Sequence, residues 1–485
     1  MPDYTDFVIR FERRAEGGDA AYTIDSPAGQ GSGVLSLSAL GEERGPGDLP
    51  LRLRAAIVPP APGDRKIERV QPLRPQEAQA VGAALFQALF SGLSASLLER
   101  SRGIVATRPD GGLRIKLRLD PEVAGQMELA RLPWELLYDP VARQYLARGD
   151  RRLALVRFLD APQPVELPSF EPPLRILVAR AQPPGLPRLE LATETDLIVK
   201  SWERVRGTSV TVLDGVTLAN LRDEVLRSRS HVLHFMGHGI FTASQNEGAL
   251  LFADPNGTAA QAVGGRALAL HLADLDLRLV VLNSCQSARL PLGPQPDAFA
   301  GVAAALVLSG IPAVVAMQFP ISDAAAIAFS RRFYRRLACG DAVDTAMSEA
   351  RREMGAAPTA APEWATPVLY MRTPDGRLFH APPAQRRAGP WLAALCLVCQ
   401  SVAWCTVALL GFLIAEVASI SSPDDRPALA MLALLAGIAA VLGIAVDRSL
   451  GEPPPIPRSA LRLLAFLAGA LLLVLLFLVF PPGGA

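Results

Sequence analysis

Three of the chain's five histidines fall within eight positions, in the stretch HVLHFMGHGIF at 231–241, and the last, His238, stands between two glycines. Imidazole at this density offers three chemistries: metal ligation, base catalysis, or hydrogen bonding inside a core. A metal site needs three or four ligands converging on one point. His231 and His234 are three apart on an apolar, strand-like run, so their side chains project to opposite faces and cannot both join His238. Those two read as buried histidines held by hydrogen bonds or packing. His238 suits that role poorly, because glycines on either side remove Cβ atoms where another backbone could approach, as a substrate-binding loop requires.

A second candidate is Cys285, in NSCQSA at 283–288. A thiol becomes a good nucleophile once an adjacent imidazole assists its ionisation. His238 would be that group, and the backbone N–H groups of Gly239 and Cys285 could receive the oxyanion of a tetrahedral intermediate. The reaction would be acyl transfer, with no metal and no cofactor. Both candidates follow apolar runs, HVLHFM and LVVLN, and they face one another only if those two strands are neighbours. The other cysteines read as structural. Cys396, Cys399 and Cys405 lie inside a long apolar span with no second ligand pair nearby, and Cys339 stands at the end of a helical stretch. Five cysteines in 485 residues form no disulfide framework, which agrees with a reducing compartment.

The elements that would hold these residues can be read from periodicity. After a Pro-rich linker at 161–174, the apolar runs LRILVARA, SVTVLD, HVLHFM, LVVLNSC, AVVAMQ and PVLYMR alternate with helical stretches. That alternation predicts an α/β fold, a mostly parallel sheet with helices on both faces over 175–380. Sites in such sheets lie outside the carboxyl ends of the strands, where both candidate turns fall. Residues 1–160 contain strand-like YTDFVIRFE and GLRIKLRLD and the helical PQEAQAVGAALFQALFSGLSASLLER, and read as an α+β N-terminal domain.

No charged residue occurs at 388–415, 427–446 or 463–485. About 20 apolar residues cross a bilayer core, so a hinge at 381–390 is expected to lead into transmembrane helices at 391–415, 428–446 and 461–480. Gln400 is almost the sole polar group of note in them, which favours an anchor over a transporter. Arginines at 386, 387, 448, 458 and 462, set against the acidic loop after the first span, predict a multi-pass protein of the cytoplasmic membrane with its C-terminus outside. The first residues, MPDYTDFVIRFERR, carry charges where a signal peptide has its apolar stretch, so the large N-terminal part is expected in the cytoplasm. Basic and acidic residues number 48 and 47, and a net charge of +1 gives no field that favours nucleic acid. Only three of the basic residues are lysines, a bias that suggests a bacterial source.

In order, LPWELLYDP at 132–140, HFMGHG at 234–239, NSCQSA at 283–288, GIPAVVAMQFPISDAAA at 310–326 and WATPVLYM at 364–371 make a set that resembles the CHAT-domain peptidases, relatives of caspases and separase. The resemblance implies a caspase-like sheet, with His238 as general base or ion-pair partner and Cys285 as nucleophile. It implies a protein substrate and, for bacterial members, a role in defence or cell death beside a separately encoded sensor or pore-forming protein. Many members carry helical repeats ahead of the peptidase domain, and this chain has none. Separase-like relatives cut after a basic residue, and Asp323, in the stretch resembling the pocket-forming segment, could supply the carboxylate that pairs with it. The alternative is that Asp323 or Ser322 caps the helix that follows. Two functions stand: a membrane-anchored cysteine endopeptidase, and a catalytically silent caspase-like scaffold that binds a partner at the membrane.

Overall fold

The computed structural model describes residues 2–12, 19–36, 74–119, 129–130, 132–149, 151–159, 167, 173–186, 189, 191–203, 208–242, 247–283, 298–319, 321–356 and 362–379. Every described residue belongs to one compact unit within residues 1–382. The expected transmembrane spans therefore lie outside the described residues, as does Cys285. Among the described residues no single helix is long and apolar enough to cross a membrane.

The strands are β1 (Asp3–Phe11), β2 (Ala20–Ser26), β3 (Gly29–Leu35), β4 (Gly111–Arg118), β5 (Tyr138–Asp139), β6 (Gln144–Tyr145), β7 (Leu153–Phe158) and β8 (Leu174–Arg180). They continue with β9 (Thr208–Asp214), β10 (Val232–Met236), β11 (Gly239–Thr242), β12 (Glu247–Ala253), β13 (Ala260–Gly264), β14 (Leu279–Asn283), β15 (Ala313–Met317) and β16 (Pro367–Met371). The helices are α1 (Pro75–Leu89), α2 (Leu93–Ala106), α3 (Leu191–Glu203), α4 (Leu218–Ser228), α5 (Gly265–Leu272), α6 (Ala298–Leu308), α7 (Asp323–Ala338) and α8 (Val343–Ala356).

Eleven strands make the main sheet, in the order β3-β2-β1-β4-β7-β16-β15-β14-β10-β8-β9. From β1 to β9 every neighbouring pair is parallel except β15 and β16. The six apolar runs seen in the sequence are β8, β9, β10, β14, β15 and β16. Continuous apolar runs are what a strand buried on both faces requires, and all five residues of β10, β14, β15 and β16 are buried. On one face Ile176, Val178, Val232, Val281 and Val315 pack against residues of α3, α7 and α8 such as Ile198, Phe329 and Met347. On the other, Leu177, Leu233, Val280 and Val314 pack against residues of α4, α5 and α6 such as Leu221, Leu268 and Val302. A small antiparallel sheet, β11-β12-β13, stands apart from the main one.

The sheet does not stop at the Pro-rich stretch. β7 pairs with β16 through Tyr370↔Arg157 and Met371↔Phe158, so strands from residues 1–160 and from 175–380 are one sheet. Buried charges join the same two portions. The Arg114 guanidinium of β4 donates to Asp6 at 2.7 Å and to Asp344 of α8 at 2.8 Å, and the Asp344 carboxyl is fully enclosed. The carbonyl of Pro374 accepts from both Arg114 and Lys116.

Candidate active site

β10 and β14 are hydrogen-bonded neighbours, in parallel register from Val232↔Leu279 to Met236↔Asn283. The condition set by the sequence for His238 and Cys285 to meet, adjacency of their strands, is fulfilled. The chain runs from β8 outward to β9 and then returns to the opposite side of β8 as β10, so strand order reverses at the β8/β10 boundary. In an open α/β sheet, ligands bind beyond the carboxyl ends at such a reversal.

His238 sits in the two-residue joint between β10 and β11. Its backbone is tied on both sides. The Gly237 N–H donates to the Asn283 carbonyl at 3.2 Å, and the His238 carbonyl accepts from Leu251 N–H of β12 at 2.9 Å. The imidazole is buried. Gly239 opens β11 opposite Leu250. Gly237 has an internal reason to be glycine: a Cβ there would lie 2.9 Å from the Phe235 ring and 3.0 Å from the Ala181 Cβ. The room that its missing side chain leaves is taken up by Phe235 and Ala181.

The other two histidines of the cluster are engaged elsewhere. His231 accepts the Arg175 backbone N–H on Nδ1 at 3.2 Å and has the Arg175 guanidinium 2.8 Å from Nε2. Burial first, and then the positive charge of Arg175, hold its pKa down at about 4, so it is neutral at physiological pH. His234 points into a buried polar network under the strand ends. Its Nδ1 lies 2.6 Å from the Tyr334 hydroxyl and its Nε2 3.6 Å from Glu194 Oε1. With the proton on Nε2, Nδ1 can accept the tyrosine O–H while Nε2–H faces the carboxylate. The same Glu194 oxygen accepts from Asn283 Nδ2 at 2.5 Å and from Ser330 Oγ at 3.2 Å. Burial, reinforced by the Glu194 charge, pushes the Tyr334 phenol well above its ordinary pKa and keeps it a neutral hydroxyl. Glu194 was not legible in the sequence, since in LATETDL it looks like any acidic residue in the first turn of a helix.

Cys285 stands two residues after Asn283 in the sequence and lies outside the described residues. Asp323 is the first residue of α7; the cap itself is Ser322, whose Oγ accepts the Ala325 N–H at 3.3 Å. The Ser322 hydroxyl also donates to Glu363 at 2.6 Å, and burial raises the Glu363 carboxyl above the usual range.

Three of the sequence motifs converge on one buried node. Glu135, from LPWELLYDP, accepts two hydrogen bonds from Arg157, at 3.2 and 2.6 Å. Gln318, after β15, donates to Glu135 at 2.9 Å and to the Ala365 carbonyl at 2.8 Å, and accepts from Arg157 at 3.1 Å. Arg351 of α8 lies 3.8 Å from Glu135 and donates to the Pro367 carbonyl. Burial brings its pKa down to about 10. Gln318 and Ser322 thus fasten both ends of the segment QFPIS that leads into Asp323.

The chain is similar to the separase chain in two crystal structures of the Saccharomyces cerevisiae separase–securin complex. One has 13% identity and a TM-score of 0.39 over 76% of this chain and 30% of that one; the other has 14% identity and 0.33 over 61% and 19%. It spans less than a third of those separase chains. It is also similar to the Drosophila initiator caspase Dronc, at 9% identity and a TM-score of 0.29 over 47% of this chain and 99% of that one. A comparison with curated proteins finds no match. The family model of the CHAT domain matches residues 79–377, from α1 past β16, and covers both the His238 joint and Cys285. The chain belongs to the CHAT domain family.

Proposed function

We propose that this protein is a cysteine endopeptidase in which His238 and Cys285 form the catalytic dyad. The observation that supports it most is the parallel pairing of β10 with β14, which ties the backbone of the His238 turn to Asn283. Cys285 follows Asn283 by two residues, about 7 Å of chain at most. In this reading His238 favours the Cys285 thiolate, which attacks the scissile carbonyl carbon. The N–H groups of Gly239 and Cys285 receive the oxyanion. The imidazolium then protonates the departing amine, leaving a thioester that water hydrolyses with His238 as base.

Asp323 belongs to the same reading as the carboxylate that pairs with a basic residue before the cut. Its support is that Ser322 holds the cap position, so Asp323 is not needed as the cap. The three apolar spans at 391–415, 428–446 and 461–480 anchor the enzyme in the cytoplasmic membrane with the peptidase portion in the cytoplasm. A protein substrate in a bacterial defence or cell-death pathway, with a separately encoded sensor or pore-forming partner, agrees with family membership and with the bacterial composition.

The test is cleavage of a peptide library by the full chain, its Cys285→Ala variant and its His238→Ala variant. Loss of the nucleophile or of its base should lower the rate by about three orders of magnitude or more, and chelators should change nothing. Cleavage by Cys285→Ala at the wild-type rate would refute the dyad. A wild-type chain that binds peptides and cleaves none would favour the scaffold.

A further inference from the structure

Away from the strand ends, a cavity of about 490 Å³ opens between the β5–β6 hairpin and the last turn of α8. Arg143, Arg148 and Arg352 line it with Tyr138 and Tyr145, and among the described residues no carboxylate does. Arg352 has Glu349 at 3.1 Å, but Arg143 and Arg148 reach no carboxylate within 4.0 Å among the described residues. A guanidinium left half-buried without a counter-charge is costly. Arg148 is such a group, stacked over Trp364 at 4.9 Å and Tyr145 at 5.7 Å from the ring centroids. Room for it depends on a glycine, because a Cβ at Gly355 would lie 2.3 Å from the Arg148 Nη1. Arg143, in turn, holds a left-handed backbone at φ 53, where glycine or asparagine would be less strained.

We propose that this cavity binds a small phosphate-bearing anion, with the three guanidinium groups on its phosphate oxygens and the tyrosine rings as its apolar wall. Planar guanidinium forks match phosphate oxygens in pairs, and several of them in one concavity act together. A volume of about 490 Å³ has room for a nucleotide-sized anion. Its occupant would bear on Trp364, which touches both Arg148 and Tyr145 and is next in sequence to Glu363, the partner of Ser322.

The experiment is calorimetric titration of the detergent-solubilised full chain with sodium pyrophosphate and with AMP, against sodium chloride at matched ionic strength. Saturable binding of either probe is expected, weakened about tenfold or more by Arg148→Gln, the loss of one charge-assisted contact. Arg143→Gln, an exposed position whose loss cannot unfold the chain, should weaken it similarly. Arg331→Gln, which removes an arginine paired with Glu353 on the surface of α7, should leave it unchanged. The absence of saturable heat from both probes up to about 10 mM, or equal weakening by Arg331→Gln, would overturn the proposal.

Discussion

Each histidine of the cluster has its own chemistry, and that of His231 has a consequence for stability. Its folded pKa of about 4 lies below the ordinary 6.5, so the unfolded chain binds the extra proton first as pH falls. Stability from this group is therefore complete above pH 6.5 and is lost as pH drops towards 4. Replacing His231 by Gln should flatten the decline in urea midpoint across that interval; an unchanged slope would mean that the decline comes from other groups. Glu194 makes a second case. It accepts hydrogen bonds from Asn283 and Ser330 at a buried position, so Glu194→Ala removes that acceptor from both. We expect a loss of about 2 kcal/mol or more, measured by denaturant unfolding. A change within about 0.5 kcal/mol, the range of an ordinary surface substitution, would show that the carboxylate does not hold the strand end.

Among the elements, what was legible in the sequence was whatever burial writes locally. β8, β10, β14, β15 and β16 announce themselves as apolar runs because central strands are covered on both faces. Ser322 and Asp323 were both legible as helix-start residues, yet only backbone geometry separates cap from first turn. Strand order was not legible. That β16 runs antiparallel to β15 and pairs with β7 on its other side depends on contacts about fifty and about two hundred residues apart, which leave no local trace. Of the node of Glu135, Arg157, Gln318 and Arg351, only Glu135 and Gln318 lie in motifs visible in the sequence, and the contact among the four was invisible for the same reason. At the start of α7 the two neighbouring residues should separate by experiment. Ser322→Ala removes a cap and the donor to Glu363, and should cost about 1–2 kcal/mol. Asp323→Asn should leave stability nearly unchanged and selectively reduce cleavage after Arg or Lys. An unchanged Arg preference in matched peptides would retire the pocket role.

For the molecule as a whole, the continuous sheet decides which pieces stand alone. A chain ending at residue 382 keeps the whole compact unit and should be folded and soluble. A chain starting at residue 161 and ending at 382 loses β7 from the side of β16, and loses Glu135 and Arg157 from beneath Gln318 and Arg351. An open strand edge and a buried arginine without its carboxylate should leave it aggregated or unfolded. Circular dichroism and sedimentation of the two fragments test this, and a monomeric, cooperatively folded 161–382 fragment would show that residues 1–160 are dispensable to the fold.

The most direct test of the dyad needs no substrate. The rate at which iodoacetamide alkylates Cys285, followed by peptide mass mapping as a function of pH, reports the thiolate fraction. An imidazole partner should keep Cys285 reactive well below the ordinary thiol pKa of about 8.5, and His238→Ala should return the midpoint to about that value. A wild-type midpoint already at the ordinary value, unmoved by His238→Ala, would contradict the pairing of His238 with Cys285.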